Sequence, residues 1–346
     1  MMAGVVSRCG LAAVVLLGAV AAEGHHSRTI YDTQRSITID GVVTVFEWAN
    51  PHVYLYVETQ TDSGDSVVWA IEQSSTTGMR RRGWSPDTLA AGDRVRVEAH
   101  PARAAGSNMA LVVAVHRQGV NLYGGGSFEQ AVARQERSAV PADGLTGTWI
   151  VEPLPLYRQF SRPQAWPLTA KGRAALTGYD DATMNPQLDC RARTAPWFML
   201  FPSVQRIDVG HAVVSIRSEY DAIERTVHMG LDSHAGAMPL YQGHSIGWWE
   251  GDVLVVDTTH FAAHRSGNAR GVPSGPQKHL IERFELSPDR TSFTYRFELA
   301  DPEYLAQTIT GEGRSMHRPD LRFAPVACDL DNARRFIGER TGQPDR

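Results

Sequence analysis

The stretch from residue 243 to 261, GHSIGWWEGDVLVVDTTHF, holds a histidine and an aspartate at a spacing that suits acid–base chemistry. Two runs of strand-forming residues flank Glu250-Gly251, which predicts a β-hairpin with a two-residue loop. In that register His244 lies directly opposite Asp257 on one strand face, with the Cβ atoms about 5 Å apart. A carboxylate at that distance stabilises the imidazolium and selects its tautomer. We therefore expect a His–Asp dyad within an otherwise apolar strand face that points toward the protein interior.

A second carboxylate, that of Glu282, is expected on the inner face of a barrel strand. It shares strand parity with Leu280, Phe284 and Leu286 in the run from residue 279 to 286. Apolar surroundings raise the pKa of a carboxyl group, which suits a proton donor or a tunable base. The alternative is a buried polar network that only holds the strands in register.

These groups predict a catalytic constellation of His244, Asp257 and Glu282. Such a set suits proton abstraction and return, as in a lyase, an isomerase or a hydratase that needs no cofactor. Aromatic side chains on the same predicted faces favour an apolar or aromatic oxygenated substrate. The predicted ligand-binding residues are Trp248, Tyr295, Arg225, His228, Phe284 and Phe297. For Arg225, a solvated position at the barrel rim is the alternative.

Histidines crowd one third of the chain without the spacing of a known metal motif. They are His228, His234, His244, His260, His264 and His279. A metal site here would have to assemble from separate strands. A second metal candidate is His25, because cleavage after Ala22 would leave a free amine two residues before it. That arrangement chelates a square-planar copper or nickel ion through nitrogen atoms.

Two sets of short strands predict an all-β protein, with a small OB-like barrel followed by a larger lipocalin-like antiparallel β-barrel. In the second set we expect eight strands from residue 203 onward, the last at 303–311. Barrels of about eight strands either fill their interior or hold one small ligand. Thr169 is expected to cap a short helix that ends at Gly178. The expected order is signal peptide, small barrel, linker and large barrel, at residues 1–22, 23–118, 119–144 and 145–346.

The N-terminus has the pattern of a secretory signal. Arg8 precedes an apolar segment from Leu11 to Ala19, which is short for a membrane span. We expect a periplasmic or secreted protein with no stable membrane insertion after cleavage, and a retained anchor helix is the alternative. Outside the leader the cysteines are Cys190 and Cys328, which predicts a disulfide bond, with two unpaired thiols as the alternative.

The charge distribution argues against nucleic acid as a partner. The formal net charge of the chain is −4. Residues 25–118 hold nine arginines, no lysine and ten acidic residues, so the OB-like barrel lacks the field that attracts a polyanion.

Long sequence phrases run through both predicted barrels. They are VVTVFEWANPHVYLYV from Val42, RRRGWSPDTLAAGDRVRV from Arg80, PLTAKGRAAL from Pro167, RTVHM from Arg225, GHSIGWWEGDVLVVDTTHF from Gly243 and HLIERF from His279. They resemble a family of secreted bacterial two-barrel proteins that has no established activity. The resemblance implies secretion and the two-barrel layout. It also places His228 beside His244, Asp257 and Glu282 among the motif positions, whereas the stretch from Ala262 to Gln277 departs from the family pattern.

We therefore expect a secreted small-molecule-binding barrel protein that acts as a cofactor-independent acid–base enzyme. Its expected partner is a hydrophobic or aromatic small molecule. A non-catalytic periplasmic carrier or sensor of a hydrophobic ligand is the competing class. A copper-binding protein that works through its N-terminus is the third.

Overall fold

The computed structural model of the chain describes residues 30–61, 63–123, 140–152 and 155–335. Within these ranges the chain forms a five-stranded barrel followed by a nine-stranded barrel, which confirms the predicted all-β fold. None of the helices in these ranges has the length and apolar character needed to cross a membrane. The predicted signal peptide at residues 1–22 and the predicted metal ligand His25 lie outside the described residues.

The first barrel has the closure of an OB fold. Its strands are β1 (Ile37–Glu47), β2 (Tyr54–Gln60), β3 (Ser66–Glu72), β4 (Arg94–Pro101), β5 (Met109–Arg117) and β6 (Val120–Tyr123). A short helix, α1 (Thr76–Arg80), lies between β3 and β4. Parallel pairing of β3 with β5 closes the barrel in the order β1-β2-β3-β5-β4, and β6 extends the sheet beyond β5. Valine and isoleucine alternate with polar residues because one face of each strand packs inward.

The second barrel carries the residues of interest. Its strands are β7 (Gly147–Val151), β8 (Val204–Val209), β9 (Val213–Ser218), β10 (Ile223–Met229), β11 (His244–Glu250), β12 (Val253–Thr259), β15 (His279–Leu286), β16 (Ser292–Ala300) and β17 (Ile309–His317). They close in the order β10-β11-β12-β15-β16-β17-β7-β8-β9. Neighbours pair antiparallel except β10 and β11, which run parallel and are joined by the long connection 230–243. A strictly antiparallel meander is therefore the wrong description of that pair.

One predicted strand begins later than expected. The last strand begins at Ile309 rather than at residue 303, because Tyr304 and Leu305 donate their backbone N–H groups to the Asp301 carbonyl and form a turn. The stretch from residue 262 to 277, which departs from the family pattern, contains a two-stranded hairpin, β13 (His264–Ala269) and β14 (Val272–Ser274).

The helices of the second domain are short. They are α2 (Pro155–Ser161), α3 (Ala170–Thr177), α4 (Asp181–Met184), α5 (Trp197–Leu200) and α6 (Leu330–Arg334). Helix α3 confirms the prediction from sequence, since the Thr169 side chain accepts from the Gly172 N–H at its N-terminus and Gly178 ends it. The predicted disulfide is also confirmed, and Cys190–Cys328 ties the segment after α4 to the C-terminal segment.

Aromatic and aliphatic side chains fill the interior of the second barrel. Phe284, Phe293, Tyr295 and Phe297 come from β15 and β16 and are at most 3% exposed, and their rings contact one another. Phe284 and Phe297, which were predicted to bind ligand, therefore belong to the packed core of the barrel. Their burial in side-chain contacts makes them part of the frame that carries the site.

Candidate functional site

The hairpin of β11 and β12 forms as predicted, but its register differs. Glu250 pairs with Val253, so Gly251 and Asp252 make the turn. Gly251 has φ +62°, as a type II′ turn requires at its first central position. The prediction that His244 pairs with Asp257 is wrong, since His244 pairs with Thr259 and Asp257 pairs with Ile246. The shift is two residues, so His244 and Asp257 still share one face.

That shared face is the outer surface of the barrel, contrary to the prediction of an inward dyad. The inward residues of the hairpin include Ser245 and Thr258, both fully buried, whereas His244 and Asp257 are partly exposed. The apolar pattern alone did not distinguish the two faces. Val255 on the outer face is as buried as Val256 on the inner face. The direction of the hairpin depends instead on its polar inner residues.

Inside the barrel, Arg225 and Glu282 form a buried ion pair with two parallel contacts. The Arg225 NH1 group donates to Glu282 Oε1 at 3.0 Å, and its NH2 group donates to Glu282 Oε2. The Tyr295 hydroxyl donates to Glu282 Oε1 at 2.7 Å. Arg225 also donates to Ser245 Oγ at 3.1 Å and to Thr258 Oγ1 at 2.6 Å. Glu282 thus lies inside the barrel, as its strand parity indicated, but its oxygens are occupied by protein donors.

The outer face of the same strands carries a cluster of imidazoles around one carboxylate. We call it the histidine cluster. Its members are His228, His234, His244, Asp257, His260 and His279. Strands β10, β11, β12 and β15 supply four of them, the connection 230–243 supplies His234, and His260 directly follows β12. Five of the six crowded histidines therefore do come together from separate elements.

Within the histidine cluster, His234 links His244 to Asp257. The Nδ1 atoms of His234 and His244 lie 2.8 Å apart, within hydrogen-bond distance. The other nitrogen of His234, Nε2, lies 3.5 Å from Asp257 Oδ1, a longer polar contact without close hydrogen-bond geometry. The expected His–Asp partnership is therefore indirect and runs through a third residue. We call His244, His234 and Asp257 the relay.

The proton positions in the relay follow from the carboxylate at its end. Ionised Asp257 can only accept, so the stable arrangement places a proton on His234 Nε2. A neutral His234 then has a lone pair at Nδ1, and His244 must donate its own Nδ1–H across the 2.8 Å contact. This assignment leaves the lone pair of His244 at Nε2, the form that acts as a general base.

The pKa values of His244 and His279 are shifted in opposite directions. Partial burial and the neighbouring imidazoles of His234, His228 and His260 lower the pKa of His244. In contrast, a 2.8 Å hydrogen bond from Nε2 of His279 to Asp257 Oδ1 raises the pKa of His279. Burial acts to raise the pKa of Asp257, but the contacts with His279 and His234 outweigh it and the pKa is lowered. These shifts favour the neutral form of His244 and the imidazolium form of His279 beside one carboxylate.

Two further imidazoles pack against the relay. The ring of His228 stacks on that of His244 with centroids 5.1 Å apart, and the ring of His260 stacks on that of His234 at 6.0 Å. His260 Nδ1 lies 2.8 Å from the Thr259 hydroxyl. His228, predicted to bind ligand, therefore supports the base directly and lies on the face where a ligand would approach.

Exposed apolar side chains are concentrated in the chain segments that supply His234 and His244. Six of the thirteen exposed large apolar residues of the described chain lie between residues 231 and 249. Leu231 and Met238 flank His234 in the connection 230–243 and are 46% and 74% exposed. Trp248, predicted to bind ligand, lies on the outer face of β11 and is 40% exposed. These exposed apolar residues therefore lie on the same two segments, the connection 230–243 and β11, as His234 and His244.

The remaining predicted residues lie away from this surface. Arg225 and Tyr295 are in the interior network and do not contact the outer face. The sixth crowded histidine, His264, is buried beside β14, and burial lowers its pKa to about 4. Among the described residues, no group of three or more histidine, cysteine, aspartate or glutamate side chains is arranged to hold a metal ion.

Sequence patterns place His279 and His234 only among the crowded histidines and do not assign them to the predicted acid–base site. His279 has the same strand parity as Ile281, opposite to Glu282, so the signal existed once the inner face of β15 was assigned. His234 lies in a connection without regular secondary structure, and no spacing rule relates it to His244. Only the path of the connection 230–243 brings it to the hairpin.

Comparison with known families supports the relationship suggested by the sequence. Residues 13–111 match the model of a family of unknown function (DUF6152). The match spans most of the first barrel and none of the histidine cluster. No curated protein matches the chain.

Proposed function

We propose that the protein is a periplasmic or secreted acid–base enzyme in which His244 acts as the general base. The observation that carries this proposal is the 2.8 Å contact between the Nδ1 atoms of His244 and His234, which is continued by His234 to Asp257. A histidine whose Nδ1–H is held in this way presents an unprotonated Nε2 to a substrate. The Cys190–Cys328 disulfide supports an oxidising compartment.

The acid of the proposed reaction is His279. Its Nε2–H is bound to Asp257, and its side chain is 44% exposed, so its Nδ1–H can reach a substrate. His244 and His279 begin strands on either side of β12, about 10 Å apart at two interstrand spacings. A substrate that lies across β12 can lose a proton from carbon to His244 Nε2 and gain one from His279 Nδ1. Such a transfer is the chemistry of an isomerase or a lyase.

The substrate class in this proposal is an apolar or aromatic oxygenated small molecule. The exposed side chains of Leu231, Met238 and Trp248 support an apolar substrate, because they belong to the connection and the strand that carry His234 and His244. The ionisable side chains of the histidine cluster support a substrate with an oxygen-containing group that accepts the proton from His279. The ligand therefore lies on the outer face of β11, β12 and β15, and not in the barrel interior expected from sequence.

The test uses a probe molecule that reacts when a base lies beside an apolar surface and that needs no acid. In 5-nitrobenzisoxazole a base removes the proton from C3, the C–H electron pair forms the nitrile, and the N–O bond breaks to release a coloured phenolate. Wild-type protein is expected to accelerate this opening, and His244→Ala is expected to lose at least about 100-fold of the acceleration. The control is His211→Ala, which changes an exposed histidine between β8 and β9. Equal rates for wild type and His244→Ala would contradict the proposal.

The competing class is a carrier or sensor that binds the same kind of ligand on this surface without turnover. The exposed apolar residues support it, because they need no chemistry to bind. It predicts that His244→Ala binds the probe as wild type does and that neither protein opens it. Retained binding with lost turnover in His244→Ala favours the enzyme.

A further inference from the structure

We propose that Arg225 and Glu282 are positioning residues that hold the relay in register from the opposite side of the sheet. The inference rests on the proposed function, because it assigns a role relative to His244. It also gives the two residues a different role from the catalytic and ligand-binding roles that the sequence suggested.

The interior network takes one side chain from each of five neighbouring strands. Arg225 is on β10, Ser245 on β11, Thr258 on β12, Glu282 on β15 and Tyr295 on β16. All five are at most 2% exposed. Every contact between them crosses from one strand to another, and the Ser245 and Thr258 hydroxyls lie 3.0 Å apart across their paired strands. The network therefore fixes the register of β10, β11, β12 and β15, the four strands that carry residues of the histidine cluster.

The inner and outer residues are neighbours in the chain. Ser245 directly follows His244, and Thr258 directly follows Asp257. Successive side chains of a strand point to opposite faces, so the backbone that places Ser245 inward also places His244 outward. Holding the two hydroxyls on Arg225 thus holds the imidazole and the carboxylate on the outside.

Hydrophobic burial does not by itself select the register of β12. Val255 on its outer face is as buried as Leu254 and Val256 on its inner face. A slip of one residue in β12 would therefore exchange apolar residues for apolar residues, while turning Asp257 inward. The same slip would take the Thr258 hydroxyl away from Arg225, and the buried guanidinium would lose one of its acceptors, which is costly.

The ion pair is not needed for stability in the way that an apolar core residue is. Replacing both members of a buried ion pair with apolar residues of similar volume is often neutral or stabilising. Removal of the pair can therefore separate a positioning role from a merely structural one. The variant is Arg225→Met/Glu282→Leu, and its control is Ile207→Ala, which removes core packing on β8, two strands away from β10.

The experiment measures the imidazole nitrogen NMR spectrum and the melting temperature of each protein. We expect the double variant to melt no more than a few degrees below wild type, but to lose the Nδ1–H signal of His244 and the ring contact between His228 and His244. The control is expected to melt lower and to keep both signals. A folded double variant that keeps both signals would overturn the inference.

A second variant tests the inference if the double variant does not fold. Ser245→Ala removes one buried hydroxyl next to His244, and it is expected to fold and to weaken the same two signals. Unchanged signals in Ser245→Ala would also overturn the inference. The contact between His228 and His244 does not depend on proton positions. Loss of this contact in the variants, with no Nδ1–H signal in wild type, would therefore support the positioning role while contradicting the proposed function.

Discussion

The Nδ1 atom of His244 lies 2.8 Å from the Nδ1 atom of His234, and this contact joins His244 to a carboxylate that it does not face. Across the hairpin His244 pairs with Thr259, while Asp257 pairs with Ile246. His234 spans the offset because the connection 230–243 passes over the outer ends of β11 and β12. The arrangement places the His244 imidazole on the outer surface of the barrel, with its Nδ1 atom held by His234.

Loss of the charge of Asp257 should slow the reaction although the proposed base, His244, is still present. In Asp257→Asn the proton on His234 Nε2 is no longer favoured by an anion, and the tautomer of His244 is no longer selected. We expect the opening of 5-nitrobenzisoxazole to slow by about 100-fold, the scale of a general-base contribution. The matched control is Asp252→Asn in the turn of the same hairpin, which should react like wild type. Similar rates in both variants would argue against the relay.

The pH dependence of 5-nitrobenzisoxazole opening should have one limb, because this probe needs a base and no acid. His244 acts as a neutral base and its pKa is lowered, so the rate should rise with pH at values below about 6.5 and then level off. His279→Gln should keep this limb, since His279 donates no proton to the probe. On a substrate that also needs an acid, the raised pKa of His279 predicts a second limb, with activity falling at values above about 6.5. A wild-type rate of probe opening that does not change between pH 4 and 6.5 would be inconsistent with this assignment.

Acid should destabilise the second domain through His264. Its buried ring accepts from the Ser266 N–H at Nδ1 and contacts the Ala192 carbonyl at Nε2, so the folded state excludes a second proton. Since its pKa is about 4 in the fold and about 6.5 when unfolded, stability should fall as pH drops from 6.5 to 4. The loss from this group is about 3 kcal/mol. Urea unfolding at pH 7 and pH 4.5 should show a smaller difference in His264→Gln than in wild type.

Removal of the disulfide should lower stability without changing the relay. Cys190 and Cys328 are 138 residues apart, and their bond restricts the unfolded chain. In Cys190→Ser/Cys328→Ser we expect the free energy of unfolding to fall by about 2 to 5 kcal/mol. Thermal melts of wild type with and without dithiothreitol provide the check, and equal melting temperatures would show that the bond does not constrain the fold.

Local sequence patterns predicted most of the fold. Alternating apolar residues located the strands of both barrels, and Thr169 and Gly178 marked the ends of α3. The final strand was misplaced because Asp301 organises a turn through contacts that lie outside any short window. The hairpin was found, but a glycine with positive φ can occupy either central position of a tight turn, so the register was off by two residues.

The site was predictable only in part. His244 and Asp257 share a face, as parity required, yet the choice of inner or outer face depended on Arg225, which binds Ser245 and Thr258 from another strand. That contact joins residues that are distant in sequence, so the hairpin sequence alone does not reveal it. Likewise, His234 belongs to a connection without regular secondary structure. Neither the two-residue period of a strand nor the 3.6-residue period of a helix predicts where its side chain points.

The most direct test of the account is the nitrogen NMR spectrum of the histidine side chains at pH 7, assigned with His244→Ala and His234→Gln. The account predicts that His244 carries its proton on Nδ1 and has an unprotonated Nε2, while His234 carries its proton on Nε2. In His234→Gln the preference of His244 for Nδ1–H should disappear. A wild-type His244 that is protonated at Nε2, or that remains an imidazolium at pH 7, would contradict the relay and with it the proposed function.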